Sequence, residues 1–344
     1  MANNYIDESF LQKFSRNAKS LNSSLKQFGT IKKEFGRDVA LAKLKRELRL
    51  ISPENYIDFM YSKFENEFKS IIDDYKNNID KKLADMNSNR KETSKTPIWV
   101  CWFQGKDSVP DLCQACLNRI EELKPDNAEI IFLTKDNYLD YVDFPSEIIE
   151  KFNNGIIGMA NYSDIIRHYL LSTYGGMWID AAIFLSNDVI NKAVNFDFYS
   201  IRFSDGKAFN GDISRGLWCN GFLSETKPSI ISDFSYNCYI EFWKKYNIAM
   251  DYLLCDFILL LGYENIDVIR STVDMTPLSS NEFRKLNYNL SKPYSVELWN
   301  SIMSESDIHL LNRHFDYPIT TPEGVKTIYG HMLEITGVIC NEKE

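Results

Sequence analysis

ANYSDIIRHYLLSTYGGMWIDAAIFLSND, residues 160–188, joins a helical segment, a double-glycine turn and a strand-like apolar run. Apolar residues recur at helical spacing in its first half, and Gly175 and Gly176 then permit a tight turn before the run MWIDAAIFLS (177–186). Asp180 lies within that run, although a strand buried in a parallel sheet is expected to be almost continuously apolar. Because an unpaired buried charge is costly, Asp180 indicates either a paired contact or a functional site.

Strands and helices alternate on both sides of this stretch. PIWVCWF (97–103) and AEIIFLT (128–134) have strand patterns, and the segment between them is helical until Pro125. This order predicts an α/β fold in which helices flank a mostly parallel sheet. Ligands of such sheets bind beyond the carboxyl ends of the strands, and Asp180 is expected near one of those ends.

The first 95 residues are predicted to form an all-helical region. The polar segment NSNRKETSKTP (87–97) has no periodicity and indicates a linker, so the main domain is expected to cover residues 96–344. Before this linker, apolar spacing predicts helices at residues 10–28, 39–51 and 56–86.

Composition limits the classes of protein to consider. With 44% hydrophobic and 25% charged residues, the chain has ordinary globular usage. No segment approaches the ~18 consecutive apolar residues of a membrane-spanning helix, and the first residues lack the basic start and apolar centre of a signal peptide. Seven scattered cysteines fit a reducing compartment, so a cytoplasmic location is expected.

Charge is distributed unevenly along the chain. Residues 1–95 carry 19 Lys and Arg against 14 Asp and Glu, a net charge of +5, while the remainder carries 20 against 34, a net charge of −14. The acidic main domain argues against nucleic-acid binding. The basic first part is compatible with an acidic partner or with peripheral contact at the inner face of a membrane.

Several polar residues of the opening stretch are expected to meet. Asp164 and Arg167 are three residues apart and therefore share one helix face. Tyr162 lies at the beginning of that helix, where backbone N–H groups favour an anion. An ordinary surface ion pair would give the same spacing. Together with the following glycine turn and Asp180, however, the pattern indicates a phosphate, sugar or metal site.

TPIWVCWFQG (96–105) and residues 160–188 together resemble the capsular polysaccharide synthesis glycosyltransferases. These are related to the DXD-containing sugar transferases of the glycosyltransferase family 32 type. The motifs are specific over residues 96–190 and looser to about 335. The resemblance implies a GT-A fold that transfers a hexose from a nucleotide-sugar, first of all a UDP-sugar, with retention of configuration. It further implies a glycan acceptor, plausibly lipid-linked, in bacterial capsular or surface polysaccharide synthesis.

The resemblance also implies roles for individual residues. Trp102 and Gln104 would lie against the nucleoside, Asp164 would bind the donor sugar or ribose, and Arg167 would contact the donor sugar and the diphosphate. Asp180 would be the first acid of the DXD motif, near the ribose and a Mn²⁺ or Mg²⁺ ion. Further donor contacts are expected at Tyr162, Gly175, Gly176, Asn220 and His309. Asn220 is predicted to lie on a strand, and a structural role is its alternative. Asp251 and Asp256 are acids within the apolar helical run 241–261, which indicates either paired contacts or the acceptor side of the cleft.

The motif departs from the family pattern at Ala182, which replaces the second acid of DXD. In the wider DXD group this second carboxylate usually reaches the metal directly, so Ala182 removes one expected metal ligand. His309, His314 and His331 each have a structural or surface role as the alternative. Cys113 and Cys116 are better explained by core packing than by zinc binding. Substitutes for the missing acid could come from Asp188, His309, Arg313, His314 or His331.

Two other classes of function fit the same residues. Loss of the second acid would also suit a nucleotide-sugar-binding relative without transfer activity. The basic, amphipathic N-terminal helices would suit a scaffold of a membrane-associated synthesis complex. For an active enzyme, the residues do not choose between attack from the face that the diphosphate leaves and a covalent intermediate on a carboxylate.

Overall fold

The computed structural model describes residues 25–202, 211–278 and 282–339. In chain order its strands are β1 (Thr96–Cys101), β2 (Ala128–Leu133), β3 (Gly176–Ile179), β4 (Ile183–Leu185), β5 (Tyr199–Ser200), β6 (Phe222–Glu225) and β7 (Ile308–Leu310). The helices are α1 (described over 25–35), α2 (Arg37–Glu47), α3 (Pro53–Glu67), α4 (Lys69–Asn77), α5 (Ile79–Asn89), α6 (Asp111–Leu123), α7 (Ser146–Asn153), α8 (Met159–Thr173), α9 (Val189–Ala193), α10 (Ile230–Lys245), α11 (Leu254–Asn265), α12 (Asp267–Asp274), α13 (Lys285–Asn289), α14 (Val296–Glu305) and α15 (Ile328–Ile335).

The larger sheet has five strands in the order β2-β1-β3-β6-β5. β1 pairs in parallel with β2 and β3, and β6 is antiparallel to both of its neighbours. Four of the five strands therefore run in one direction, which confirms the predicted α/β class with a mostly parallel sheet. β4 and β7 form a separate antiparallel pair.

Alternate residues of the central strands face two different hydrophobic cores. In β3, Trp178 packs in one core, whereas Met177 and Ile179 pack in the other. The first core is covered by α3, α8, α10 and α11, and the second by α6, α13, α14 and α15. Because successive side chains of a strand point to opposite faces, the sheet lies between two helical layers and its strands are buried on both sides.

The strand predicted at residues 177–186 is interrupted at Asp180. β3 ends at Ile179, and β4 begins at Ile183 in the other sheet. The backbone N–H of Asp180 donates to the Gly221 carbonyl, and the N–H of Ile183 donates back to the Asp180 carbonyl, which closes a turn. The prediction of one continuous strand is therefore wrong, because the acid ends the strand instead of lying within it.

The helical region before residue 96 packs into the same core as the sheet. Tyr56, Met60 and Phe64 of α3 are buried, and the ring of Phe64 lies 4.7 Å from that of Phe257 in α11. The helix predicted over 56–86 is correct in type but is divided into α3, α4 and α5. The helix predicted over 10–28 falls mostly outside the described residues.

The connection to the sheet is shorter than the predicted linker. α5 continues to Asn89 and β1 begins at Thr96, so the connecting segment covers residues 90–95. The domain boundary at this point stays a prediction, although the described helices on its N-terminal side do not have a core of their own.

Gly175 and Gly176 are required by chain packing at the start of β3. Their φ angles are 72° and 95°, a region that favours glycine. A Cβ on Gly175 would lie 2.8 Å from the Glu225 carbonyl oxygen, and one on Gly176 would collide with the carbonyl of Pro97. The glycines thus allow close approach between strands, at the end of β3 opposite to Asp180.

Within residues 25–202, 211–278 and 282–339, no helix is both long and apolar enough to cross a bilayer.

The shared core predicts that the N-terminal helices contribute to global stability. Phe64→Ala removes a fully buried ring, and the free energy of unfolding is expected to fall by about 3–5 kcal/mol. Urea unfolding followed by far-UV circular dichroism measures this loss. Asn66→Ala, on the exposed face of the same helix, is the matched control and should change stability little. A separate early transition caused by Phe64→Ala, with the main transition unshifted, would contradict a shared core.

Candidate active site

A cleft of about 540 Å³ lies at the carboxyl end of β3. One wall comes from α8, which supplies Asp164 and Arg167, and the floor includes Asp180 in the turn after β3. The facing wall comes from residues 211–221 and from Asp256 in the first turn of α11. The location is the one expected for ligands of a parallel sheet.

Arg167 is the charged centre of the cleft. Its side chain is only 5% exposed, and Nη1 donates to Asp164 Oδ1 at 2.6 Å while Nη2 lies 3.4 Å from Asp180 Oδ1. The guanidinium also lies 4.8 Å from the centroid of the Trp178 ring. Burial acts to lower the pKa of Arg167, but the two carboxylates outweigh it and hold the pKa above its usual value. The group is therefore a fixed cation.

Asp180 presents a carboxylate to the open part of the cleft. Its side chain is 41% exposed, and Oδ1 accepts a hydrogen bond from Trp178 Nε1 at 2.7 Å. Among the described residues, Oδ2 makes no hydrogen bond. A Cβ on Gly221 would lie 3.1 Å from that oxygen, so glycine at this position leaves space beside it. Asp180 thus keeps one oxygen available to a ligand.

Asp164 lines the cleft, but its carboxylate is engaged by other protein groups, first of all by Arg167. Its second oxygen accepts from the hydroxyl of Tyr239 on α10, at 3.1 Å. Burial raises the pKa of Asp164, and the nearby guanidinium and hydroxyl act in the opposite direction. With both oxygens occupied, the carboxylate fixes the rotamer of Arg167.

A second polar group forms the facing wall. Trp218 Nε1 and Asn220 Nδ2 both donate to Asp256 Oδ1, at 3.1 and 2.8 Å. Burial raises the pKa of Asp256 to about 7 despite these two donors. Asn220 precedes β6 instead of lying on a strand as predicted, and the turn directs its amide towards α11. Asp256 can therefore exchange a proton near neutral pH.

Two buried polar atoms at the cleft have no hydrogen-bond partner within the described part of the chain. They are Nε of Arg167 and Oδ1 of Asn220. Buried polar atoms in folded proteins are nearly always paired, so such an atom calls for an explanation. A polar ligand in this cleft could accept a hydrogen bond from Arg167 Nε on one wall and donate one to Asn220 Oδ1 on the other.

A chain of buried polar side chains leads from the sheet to Arg167. Ser232 donates to Glu225 on β6 at 2.8 Å and lies 3.1 Å from Nδ1 of His168, whose Nε2 lies 3.4 Å from the Cys255 sulfur. That sulfur is 4.0 Å from Nη1 of Arg167. Burial lowers the pKa of His168, so the imidazole is neutral, and raises the pKa of Glu225 to about 7.

Trp102 and Gln104, the predicted nucleoside contacts, follow the end of β1 but do not line this cleft. The indole of Trp102 donates to Ser108 Oγ at 2.9 Å, and Gln104 is exposed. The guanidinium of Arg313 lies 5.0 Å from the centroid of the Trp102 ring. An aromatic surface is therefore present near the carboxyl end of the sheet, with a cation stacked on it.

The structure does not bring five other predicted residues into the cleft. Tyr162 is buried, stacks on Phe152 and shares a hydrogen bond with Tyr138. His309 is buried in β7, and Asp251 accepts a hydrogen bond from the Tyr56 hydroxyl beside Arg46. The remaining two are Gly175 and Gly176, at the far end of β3.

The substitutes considered for the missing acid also lie elsewhere. Asp188 accepts hydrogen bonds from Asn191, and His331 is stacked on Tyr294 at 3.9 Å. His314 is exposed, and neither it nor Arg313 lines the cleft. Cys113 and Cys116 are free thiols buried in α6, which agrees with a packing role.

The capacity for a divalent ion depends on Asp180. Across residues 25–202, 211–278 and 282–339, no three His, Cys, Asp or Glu side chains converge on a metal position. Asp164 is occupied by Arg167, and Ala182 offers no carboxylate. Mg²⁺ in proteins is often held by one or two carboxylates together with substrate phosphates, and the free oxygen of Asp180 fits that arrangement.

Sequence reasoning missed several contributors to this cleft. Trp178 could have been found, because it is two residues before Asp180 and alternate strand residues share a face. Tyr239, Trp218 and Arg284 carry no local signal, since they reach the cleft only through the packing of distant segments.

A family model described as "capsular polysaccharide synthesis protein" matches residues 49–332. The match includes helices α3 to α5 as well as the sheet, and so extends beyond the segment on which the sequence resemblance rests. No curated protein matches the chain.

The raised pKa of Asp256 predicts a specific pH dependence of stability. An unfolded Asp ionises near pH 3.9, whereas the folded one stays protonated to about pH 7, so the folded state holds the extra proton between these values. The free energy of unfolding should therefore fall with rising pH, by up to about 1.4 kcal/mol per unit in that window. Asp256→Asn should remove this component.

Urea unfolding of the wild type and Asp256→Asn at several pH values between 4 and 8 measures the difference. The exposed Asp136→Asn is the matched control and should follow the wild type. Parallel stability curves for the wild type and Asp256→Asn would show that Asp256 is ionised throughout the range.

Proposed function

Because this chain belongs to the capsular polysaccharide synthesis family, we propose that it is a glycosyltransferase that moves a hexose from a nucleotide-sugar to a glycan acceptor. The family supports a role in capsule biosynthesis. The sequence motifs support the finer parts of this proposal. These parts are a hexosyl group, a UDP-sugar donor, a GT-A fold and transfer with retention. The expected compartment is the cytoplasm, with the acceptor at the inner face of the membrane.

One observation carries the proposal: a buried, fixed cation stands beside a carboxylate that keeps a free oxygen. The leaving group of a nucleotide-sugar is a diphosphate, whose negative charge grows as the glycosidic bond breaks. Arg167 can stabilise that charge, and Arg284 also lines the cleft. Asp180 can bind the ribose or a diphosphate-bound ion through Oδ2. The cleft volume of about 540 Å³ lies within the range of small-molecule sites.

The remaining polar residues receive distinct roles in this proposal. Asp164 and Trp178 position Arg167, one by a hydrogen bond and the other by its ring face. Asn220 and Asp256 lie on the facing wall and are assigned to the acceptor or the donor sugar. In transfer with retention, either the acceptor hydroxyl attacks on the face that the diphosphate leaves, or a carboxylate first forms a glycosyl intermediate. In the first route a diphosphate oxygen takes the hydroxyl proton.

A Mn²⁺ or Mg²⁺ ion is proposed to bind only together with the donor. When bound, the ion would neutralise part of the diphosphate charge. Asp180 is the proposed protein ligand of the ion, because the carboxylate of Asp164 is already bonded to Arg167. A nucleotide-sugar-binding role without transfer is the second candidate function, because Ala182 removes the other acid of the motif.

Donor turnover should depend on Arg167 and Asp180. With a panel of UDP- and GDP-sugars and Mn²⁺, the wild type is expected to hydrolyse or transfer one sugar, measured by mass spectrometry of the nucleotide and glycan products. Arg167→Lys cannot bridge both carboxylates, and Asp180→Asn lacks the anionic oxygen. Each should lower turnover by about 10²–10³-fold, the usual effect of removing one charge-stabilising group.

Arg90→Lys and Asp136→Asn make the same substitutions at exposed positions and serve as controls. Tight donor binding by the wild type without hydrolysis or transfer would support the binding-only candidate. For an active wild type, NMR of the product determines the anomeric configuration, and an inverted linkage would overturn retention.

Mn²⁺ binding should be coupled to the nucleotide. Because the protein supplies a single free carboxylate oxygen, electron paramagnetic resonance should detect Mn²⁺ bound at least about tenfold more tightly with UDP present than without it. Asp180→Asn should remove this increase, while Asp136→Asn should retain it. Equal affinity with and without UDP would contradict a site completed by the diphosphate.

A further inference from the structure

Helix α2 ends in a turn that exposes two leucines. The N–H groups of Arg49 and Leu50 donate to the carbonyls of Arg46 and Lys45, a pattern that ends many helices. The residue in the left-handed conformation at such an end is usually glycine, but here it is Arg49, with φ 55°. Leu48 and Leu50 are 44% and 70% exposed. The turn therefore keeps an arginine in an unfavourable conformation between two solvent-exposed leucines.

The residues on both sides of this turn lie beside segments that reach the cleft. Lys43 donates to the Met250 carbonyl at 2.6 Å, and Arg46 lies 3.6 Å from Asp251. The next residue, Tyr252, is 74% exposed and lines the cleft. On the other side of the turn, a Cβ on Gly211, also at the cleft, would lie 2.9 Å from Pro53.

The amphipathic pattern of α2 does not itself provide a membrane-binding face. Val39, Ala40 and Ala42 are buried against the protein core. The surface apolar groups are instead those of the turn, and two exposed basic residues flank them along the chain. Lys45 and Arg49 are exposed, and no hydrogen bond or ion pair of their side chains involves another described residue. Glu47 is the one acid among residues 43–50.

We propose that Leu48, Leu50 and Tyr252, together with Lys45 and Arg49, form a membrane-contact patch that docks on an anionic lipid surface. Leucine side chains enter the boundary between headgroups and acyl chains, tyrosine favours the same depth, and Lys and Arg bind anionic headgroups. The patch borders the cleft, so a docked protein would face a lipid-linked acceptor. This last point rests on the proposed function, whereas lipid binding by the patch does not.

Flotation of the full chain with vesicles tests the patch. The wild type should float with equimolar phosphatidylglycerol and phosphatidylethanolamine vesicles, and less so with phosphatidylcholine vesicles or at high salt. Leu50→Asp should lower the vesicle partition coefficient by at least about tenfold, because it removes an inserting group and adds a negative charge. Val296→Asp is the matched control: Val296 is 56% exposed on α14, over the other core, and its change should have no effect.

The variant Arg49→Gly distinguishes an effect on vesicle binding from an effect on folding. Glycine suits the left-handed position, so the melting temperature should stay the same or rise, whereas loss of the cation should weaken vesicle binding about fivefold. Lack of wild-type flotation, or equal flotation with phosphatidylcholine, would overturn the proposal. A dimer that Leu50→Asp dissociates, without vesicle binding, would instead assign the patch to a second copy of the chain. Donor hydrolysis by Leu50→Asp should match the wild type, so failure of this proposal is distinguishable from failure of the enzyme assignment.

Discussion

The cleft depends on the burial of one guanidinium group. Moving Arg167 out of water is costly, and the cost is offset by two carboxylates and the face of one indole. A different part of the structure positions each partner. Asp164 lies one helical turn from Arg167 on α8, Trp178 belongs to the central strand β3, and Asp180 follows the end of that strand. Helix α8 and strand β3 must therefore keep one relative position for the charge to remain paired. The group expected to meet the substrate is also the group that fixes these two elements together.

The sequence was sufficient to predict the sheet, its helical layers and the meeting of Asp164, Arg167 and Asp180. These predictions rest on local periodicity and short spacing, which determine local structure without knowledge of long-range packing. Gly175 and Gly176 are predicted to contact a ligand because glycine permits close approach, but the sequence does not identify the group that approaches. In the structure that group is the backbone of neighbouring segments, at Glu225 and Pro97. The family match confirms the capsular relationship and leaves the GT-A details as predictions.

Other parts of the cleft could not be predicted, because they depend on long-range packing. Asp256 looked like an acid within an apolar helix, and its setting became clear only when the turn before β6 placed Asn220 and Trp218 against it. Asp251 had the same appearance in the sequence, yet it bonds to Tyr56 at the helical region. Two acids five residues apart thus have different surroundings. Neither composition nor spacing distinguishes them.

The short connection at residues 90–95 has a consequence for how such chains can be recombined. Helices α3 to α5 and the sheet lie on opposite sides of this connection, but they complete one core, in which Phe64 meets Phe257. A crossover here would join two half-cores that were not selected to fit. Exchange of helices α3 to α5 between relatives would therefore require matching changes on α10 and α11. The helical region and its sheet are expected to be exchanged successfully only as one unit.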